Sequence, residues 1–187
     1  MSQTNLVARI SSSESSNVIG RIGGNIPQFF EDTLDDIKGY NFYLTVQNPD
    51  NSQEYITIFT PIDYENMVDN NIYPKCSVKV FTHPFSKESA NNRYTAKTIN
   101  RTNIVGYDKA ADKEFDFITK TGSPELIQDE TYYYEDLQKD NYDFLMQIDE
   151  DYYPDGVVGE YIFGYGAVYL YKNVARQSIV AGFWQFS

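Results

Sequence analysis

The stretch Tyr40-Asn41-Phe42-Tyr43-Leu44-Thr45-Val46-Gln47 decides the fold class, because its side chains separate into two alternating sets. Tyr40, Phe42, Leu44 and Val46 fall on one face of an extended chain and Asn41, Tyr43, Thr45 and Gln47 on the other, the period of a half-buried β-strand. Related patterns recur at residues 55–59, 76–81, 144–148, 167–171 and 179–186, with shorter candidates at 94–98 and 115–118. The seven prolines fall between these runs, where a missing N–H breaks no ladder. Seventeen Tyr and twelve Phe suit the pleated surface of a sheet. Helix signals are confined to two places. One is 28–38, where Phe29, Phe30, Leu34 and Ile37 share a side and Gly39 offers a left-handed stop; the other is 130–139. The pattern predicts a β-dominant α+β fold, one compact domain over residues 1–187 with a few short helices.

No run approaches the roughly 18 uninterrupted apolar residues of a membrane-spanning helix. Residues 12–16 read Ser-Ser-Glu-Ser-Ser where a secretion signal would need an apolar stretch, so the expectation is a cytoplasmic protein. Cys76 and His83 are each the sole residue of their type, which excludes an internal disulfide and a zinc site of the usual kind. No metal or cofactor is expected.

The two halves echo each other. The first carries Gly23-Gly24-Asn25-Ile26-Pro27, then an aromatic strand ending at Gln47, then Ser77-Val78-Lys79-Val80-Phe81. The second carries Gly122-Ser123-Pro124, then Tyr142-Asp143-Phe144-Leu145-Met146-Gln147-Ile148-Asp149, then Gly166-Ala167-Val168-Tyr169-Leu170-Tyr171. Two copies suggest a pseudo-symmetric pair of antiparallel β units, at about 20–85 and 118–173. With Gly164-x-Gly166 and the closing Phe183-Trp184-Gln185, these segments make the chain resemble the YwqG-like family, bacterial proteins of uncharacterised function. The resemblance implies an internally duplicated α+β fold and no particular reaction. Ser123 stands where that family's second glycine is expected, and Tyr161-Ile162-Phe163 replaces a Trp-Gly-Asp stretch.

The formal charge of −12 is concentrated. Residues 125–160 hold twelve Asp or Glu against the single Lys139, interleaved with seven Tyr and Phe up to Tyr153. Such a surface repels phosphate backbones, which argues against nucleic acid and for a basic protein as partner. Tyr132, Tyr133, Tyr152 and Tyr153 are the expected anchors, with Asp129, Glu130, Asp149, Glu150, Asp151 and Asp155 steering and pairing. A merely solvated acidic loop is the plainer account of the same residues.

Catalytic signatures are poor. Asp149, Asp151, Tyr153, Asp155, Val157 and Glu160 have the spacing of a calcium loop, but Pro154 occupies the place that needs glycine. Gly20-Arg21-Ile22-Gly23-Gly24 lacks the ending of a phosphate loop and reads as a turn, and His83 has no nucleophile motif beside it. The expected function is a non-catalytic intracellular protein-binding module, with an immunity protein that neutralises a basic toxin as its concrete form. The alternative is an enzyme or small-ligand binder using a cleft between the two repeats.

Overall fold

The computed structural model describes residues 4–11, 17–157 and 159–187, so the serine-rich stretch at 12–16 lies outside the described residues. Ten strands form one sheet: β1 (Leu6–Ser11), β2 (Gly20–Ile22), β3 (Tyr40–Asn48), β4 (Asn51–Pro61), β5 (Lys79–His83), β6 (Thr102–Lys109), β7 (Ile118–Lys120), β8 (Tyr142–Asp149), β9 (Ala167–Asn173) and β10 (Ile179–Gln185). Their order is β10-β9-β8-β7-β1-β6-β2-β3-β4-β5, and every neighbouring pair is antiparallel. The sheet curls until its edges β5 and β10 approach each other. The segment before β5 lines the β10 edge, with Tyr73 N–H donating to Gly182 O at 2.6 Å and Trp184 N–H to Asn71 O at 3.0 Å. A curled, nearly closed sheet leaves little unpaired edge.

Alternation in the deciding stretch does not run through unbroken. A bulge in β3 between Phe42 and Leu44 shifts the pairing against β4, so Phe42 joins Phe30, Ile37 and Phe59 on the outer face while Tyr43, Leu44 and Val46 enter the main core. An extra residue in a strand reverses the faces beyond it, which is why simple parity misplaces Phe42 and Tyr43. In β8 the same break falls between Phe144 and Met146: Phe144 is outside, and Leu145, Met146 and Ile148 are inside. Leu44, Val46, Leu145, Val168 and Phe183 are buried as the strand patterns require, Phe183 in an outer cluster, whereas Val80 on the edge strand β5 is only half-buried.

The expected helix at 28–38 is instead two 3-10 turns, Gln28–Phe30 and Leu34–Ile37, separated where Thr33 leaves helical geometry at φ −132° and ψ 36°. The one at 130–139 is likewise broken by Tyr134 (φ −124°, ψ −4°) into a turn at Thr131–Tyr133 and a short helix. Two α-helices occur among the described residues. α1 (Tyr64–Asp69) is capped by the Asp63 carboxylate accepting Asn66 N–H, and α2 (Glu135–Lys139) covers the outer face of β8 and β9. β1, β2 and β6 were not visible as alternating runs, and 94–98 is not a strand. Gly20-Arg21-Ile22, read as a turn, is β2.

Raising each strand number by five, β1 to β6 and onward to β5 to β10, and reversing the list returns the same strand order. Val46 lies opposite Gly20, the first residue of β2, and Ile148 opposite Ile118, the first residue of β7. Gln47 follows Val46 whereas Gln147 precedes Ile148, so the two glutamines aligned by the sequence echo fall at different places in these registers, and residues 77–81 lead into the edge strand β5 while 167–171 lie in β9, inside the sheet.

Candidate functional site

Phe42 faces Phe59 across β3 and β4, and Phe144 faces Tyr171 across β8 and β9, each pair just before its bulge. In the first half the space over the pair is filled by Ile26, Phe30, Ile37 and Tyr94, with Leu34 packed alongside. In the second half Tyr133 and Leu137 cover Tyr169 and Phe183 instead, and the space over Phe144 and Tyr171 stays open. The result is a cleft of about 490 Å³, walled by Tyr134, Tyr142, Phe144 and Tyr171 and lined at its rim by Asp129 and Asp143. Phe144 and Tyr171 meet edge to face, their centroids 5.7 Å apart. None of the residues lining the cleft is cationic. Burial, with Tyr134 nearby, pushes the Tyr171 phenol well above its ordinary value, so it remains neutral at physiological pH. Electron-rich ring faces beside carboxylates attract a cation.

The expected partner-binding residues divide between surface and interior. Asp129, Glu130, Asp151 and Asp155 are exposed, as are Tyr132 and Tyr152. Tyr132 stacks on Tyr133 at 4.6 Å, and the Tyr152 hydroxyl donates to Glu125 Oε2 at 3.2 Å. Tyr133, Asp149 and Glu150 are buried and Tyr153 is half-buried, so these four cannot act as surface anchors or steering charges. Tyr133 packs on Phe183, and its hydroxyl donates to Gln128 Oε1 at 2.6 Å. Asp149 Oδ1 accepts Asp151 N–H at 3.0 Å, starting a 3-10 turn at Glu150–Tyr152. Both Glu150 carboxylate oxygens accept Phe163 N–H at 3.0 Å, fastening the 161–166 loop to the end of β8, and the Tyr153 hydroxyl bonds that of Tyr43 in the core. Sequence alone had no means of telling these inward carboxylates from the outward ones two residues away.

Burial raises the Asp149 carboxyl to about 6, opposed by the Asp151 N–H and reinforced by the charges of Asp151 and Glu125. Burial raises Glu150 to about 7 against the backbone N–H groups that favour its charged form. Asp155 is exposed in the loop after Tyr153; Asn100 holds the backbone of that loop, its N–H donating to Val157 O at 2.8 Å and its side chain to Gly156 O at 2.7 Å. The calcium-loop spacing brings no ligand set together: among the described residues no group of three His, Cys, Asp or Glu is placed to hold a metal.

Fold and site together define a β-sheet protein with an acidic, aromatic cleft. Comparison with known proteins finds no family model that matches the chain, no similar curated protein and no similar solved structure. No helix among the described residues is long and apolar enough to cross a membrane.

Proposed function

We propose that the protein is a cytoplasmic, non-catalytic binding module whose second half receives a basic protein, with an Arg or Lys side chain entering the cleft over Phe144 and Tyr171. The observation that carries this reading is the open aromatic cleft with Asp129 and Asp143 at its rim and no lining cation. Ten of the twelve acids between 125 and 160 are exposed, which adds long-range attraction to the local fit. A nucleic acid would meet the same field as repulsion. Neutralising a basic toxin is the concrete form of this function. The fold is read as an internal duplication with exchanged first strands, in keeping with the YwqG-like resemblance; the self-matching strand order and the paired bulges in β3 and β8 support it.

Titration with an arginine-rich peptide and with its citrulline counterpart tests the cleft. The arginine peptide is expected to bind and the neutral one not to. Asp129→Asn with Asp143→Asn is expected to weaken binding about tenfold, a loss of ~1.4 kcal/mol. Equal binding of the two peptides, or no effect of the double variant, would sink the proposal.

A further inference from the structure

On the outer face of the first half, a pocket of about 270 Å³ opens beside β2 and β3 with the opposite electrostatic character. Arg21, Lys87 and Arg101 line it against the single carboxylate Glu88, an excess of positive charge on a chain whose formal charge is −12. Arg21 is buried. Its guanidinium donates to Gly23 O at 2.7 Å and Asn25 O at 2.5 Å and lies over the Phe42 ring at 4.5 Å. Glu88 is held by Asn25 N–H at 2.8 Å and Arg101 Nε at 2.7 Å. Burial would raise its carboxyl, but these donors and the Arg21 charge outweigh that and keep it below the ordinary value. Lys87 is exposed and has no ion-pair partner among the described residues.

Two hydroxyls, Thr45 and Ser86, complete the polar wall. Behind Thr45 runs a buried chain: Thr57 Oγ1 donates to Thr45 Oγ1 at 2.7 Å, and His83 Nε2 lies 2.7 Å from Thr57 Oγ1. His83 Nδ1 sits 2.6 Å from Pro84 O, which can only accept, so Nδ1 carries a proton. In the neutral ring Nε2 would accept the Thr57 proton; only in the imidazolium does Nε2 donate, with the Thr57 proton then directed to Thr45. In that form the chain presents the Thr45 hydroxyl proton to an acceptor outside it. Burial disfavours the imidazolium this requires, although the Pro84 carbonyl and the Glu54 charge favour it; an anion in the pocket supplies the missing acceptor and compensating charge. The apolar wall is Tyr55 and Phe85, ring centroids 5.5 Å apart at 64°, with Phe85 among the most exposed large side chains of the protein.

We propose that this pocket binds a small phosphate monoester carrying an aromatic ring, the phosphate between Lys87, Arg101 and Thr45 and the ring against Phe85 and Tyr55. Arg and Lys supply the charge and hydroxyls the short hydrogen bonds that phosphate oxygens take, while an exposed Phe gains from being covered. Phenyl phosphate, inorganic phosphate and phenol are the probes. His83 is the sole histidine, so its Cε1 proton gives one unambiguous NMR signal. Phenyl phosphate is expected to bind saturably, at least about tenfold more tightly than phosphate, and to shift the His83 titration to higher pH. Phenol is expected not to bind. Lys87→Glu, which alters an exposed side chain without an ion-pair partner among the described residues, is expected to weaken phenyl phosphate about tenfold. Thr45→Val is expected to remove the His83 response while the chain still melts cooperatively. No saturation by phenyl phosphate, equal affinity for phosphate, or an unchanged affinity in Lys87→Glu would each overturn the assignment.

Discussion

Glu150 offers the most direct test of the energetics. Its carboxylate is 1% exposed at the junction of β8 and the 161–166 loop, and burial lifts its pKa from 4.5 to about 7. The unfolded chain loses this proton near pH 4.5, whereas the folded chain keeps it to about pH 7. Within that window the native state binds more protons, so stability falls as pH rises, and the favourable contribution is complete below the window and gone above it. At about 1.4 kcal/mol per pH unit, the displacement amounts to ~3 kcal/mol. Glu150→Gln retains an oxygen for Phe163 N–H and cannot ionise. Urea unfolding would be followed by fluorescence of Trp184, the sole tryptophan, fully buried with its ring N–H donating to Met67 O at 3.1 Å. The wild type is expected to lose ~3 kcal/mol relative to the variant between pH 4.5 and 7. Asp149 titrates in both chains and cancels in the difference. A wild-type-minus-variant stability that is flat across this range refutes the argument.

Two further outcomes follow from packing and one from backbone strain. Leu145→Ala, in the core beneath the β8 bulge, is expected to cost roughly 2–5 kcal/mol in denaturant unfolding, and Val80→Ala on the half-buried edge clearly less. Gly20→Ala is expected to destabilise by about 1–3 kcal/mol, because its Cβ would press on the Thr45 carbonyl and approach Val46 Cα to 2.7 Å. Gly39→Ala, with nothing within 4 Å but φ at +84°, is expected to cost about 1 kcal/mol through backbone strain alone. A smaller loss at Gly20 than at Gly39 would contradict the crowding at Gly20.

The strands that pair locally were legible. β3 with β4 and β8 with β9 are alternating aromatic runs, and the first hairpin closes through Asn48 Oδ1 accepting Asp50 N–H at 2.9 Å. β2 and β7, at three residues each, are too short to show a period, and β1 and β6, paired on both sides, are set by distant partners rather than by their own alternation. Of the cleft, Tyr134, Tyr142 and Phe144 stood out as aromatics within the acidic segment, but nothing local tied them to Tyr171. What opens the space is a comparison between halves: the turns at 28–37 bring Phe30 and Ile37 over Phe42 and Phe59, whereas 131–139 brings Tyr133 and Leu137 to a neighbouring spot. His83, with no nucleophile motif beside it, did not stand out in the sequence, yet it ends β5 facing Tyr55 and is buried.

The placement of β1 sets a timetable for synthesis. Leu6 pairs with Lys109 on one side and Lys120 on the other, so β1 leaves the ribosome well before either of its neighbours, β6 and β7, exists. Until β6 arrives, β2 also has an open flank, and the β3–β4–β5 meander can form only as an unclosed ribbon. A nascent chain halted before β6 therefore presents the open edge of β2 to whatever is nearby, including a second copy of itself. Chaperone demand and the tendency of truncated forms to pair should both peak for chains ending between β5 and β6, and a cut there should yield two pieces that recover the fold only when mixed.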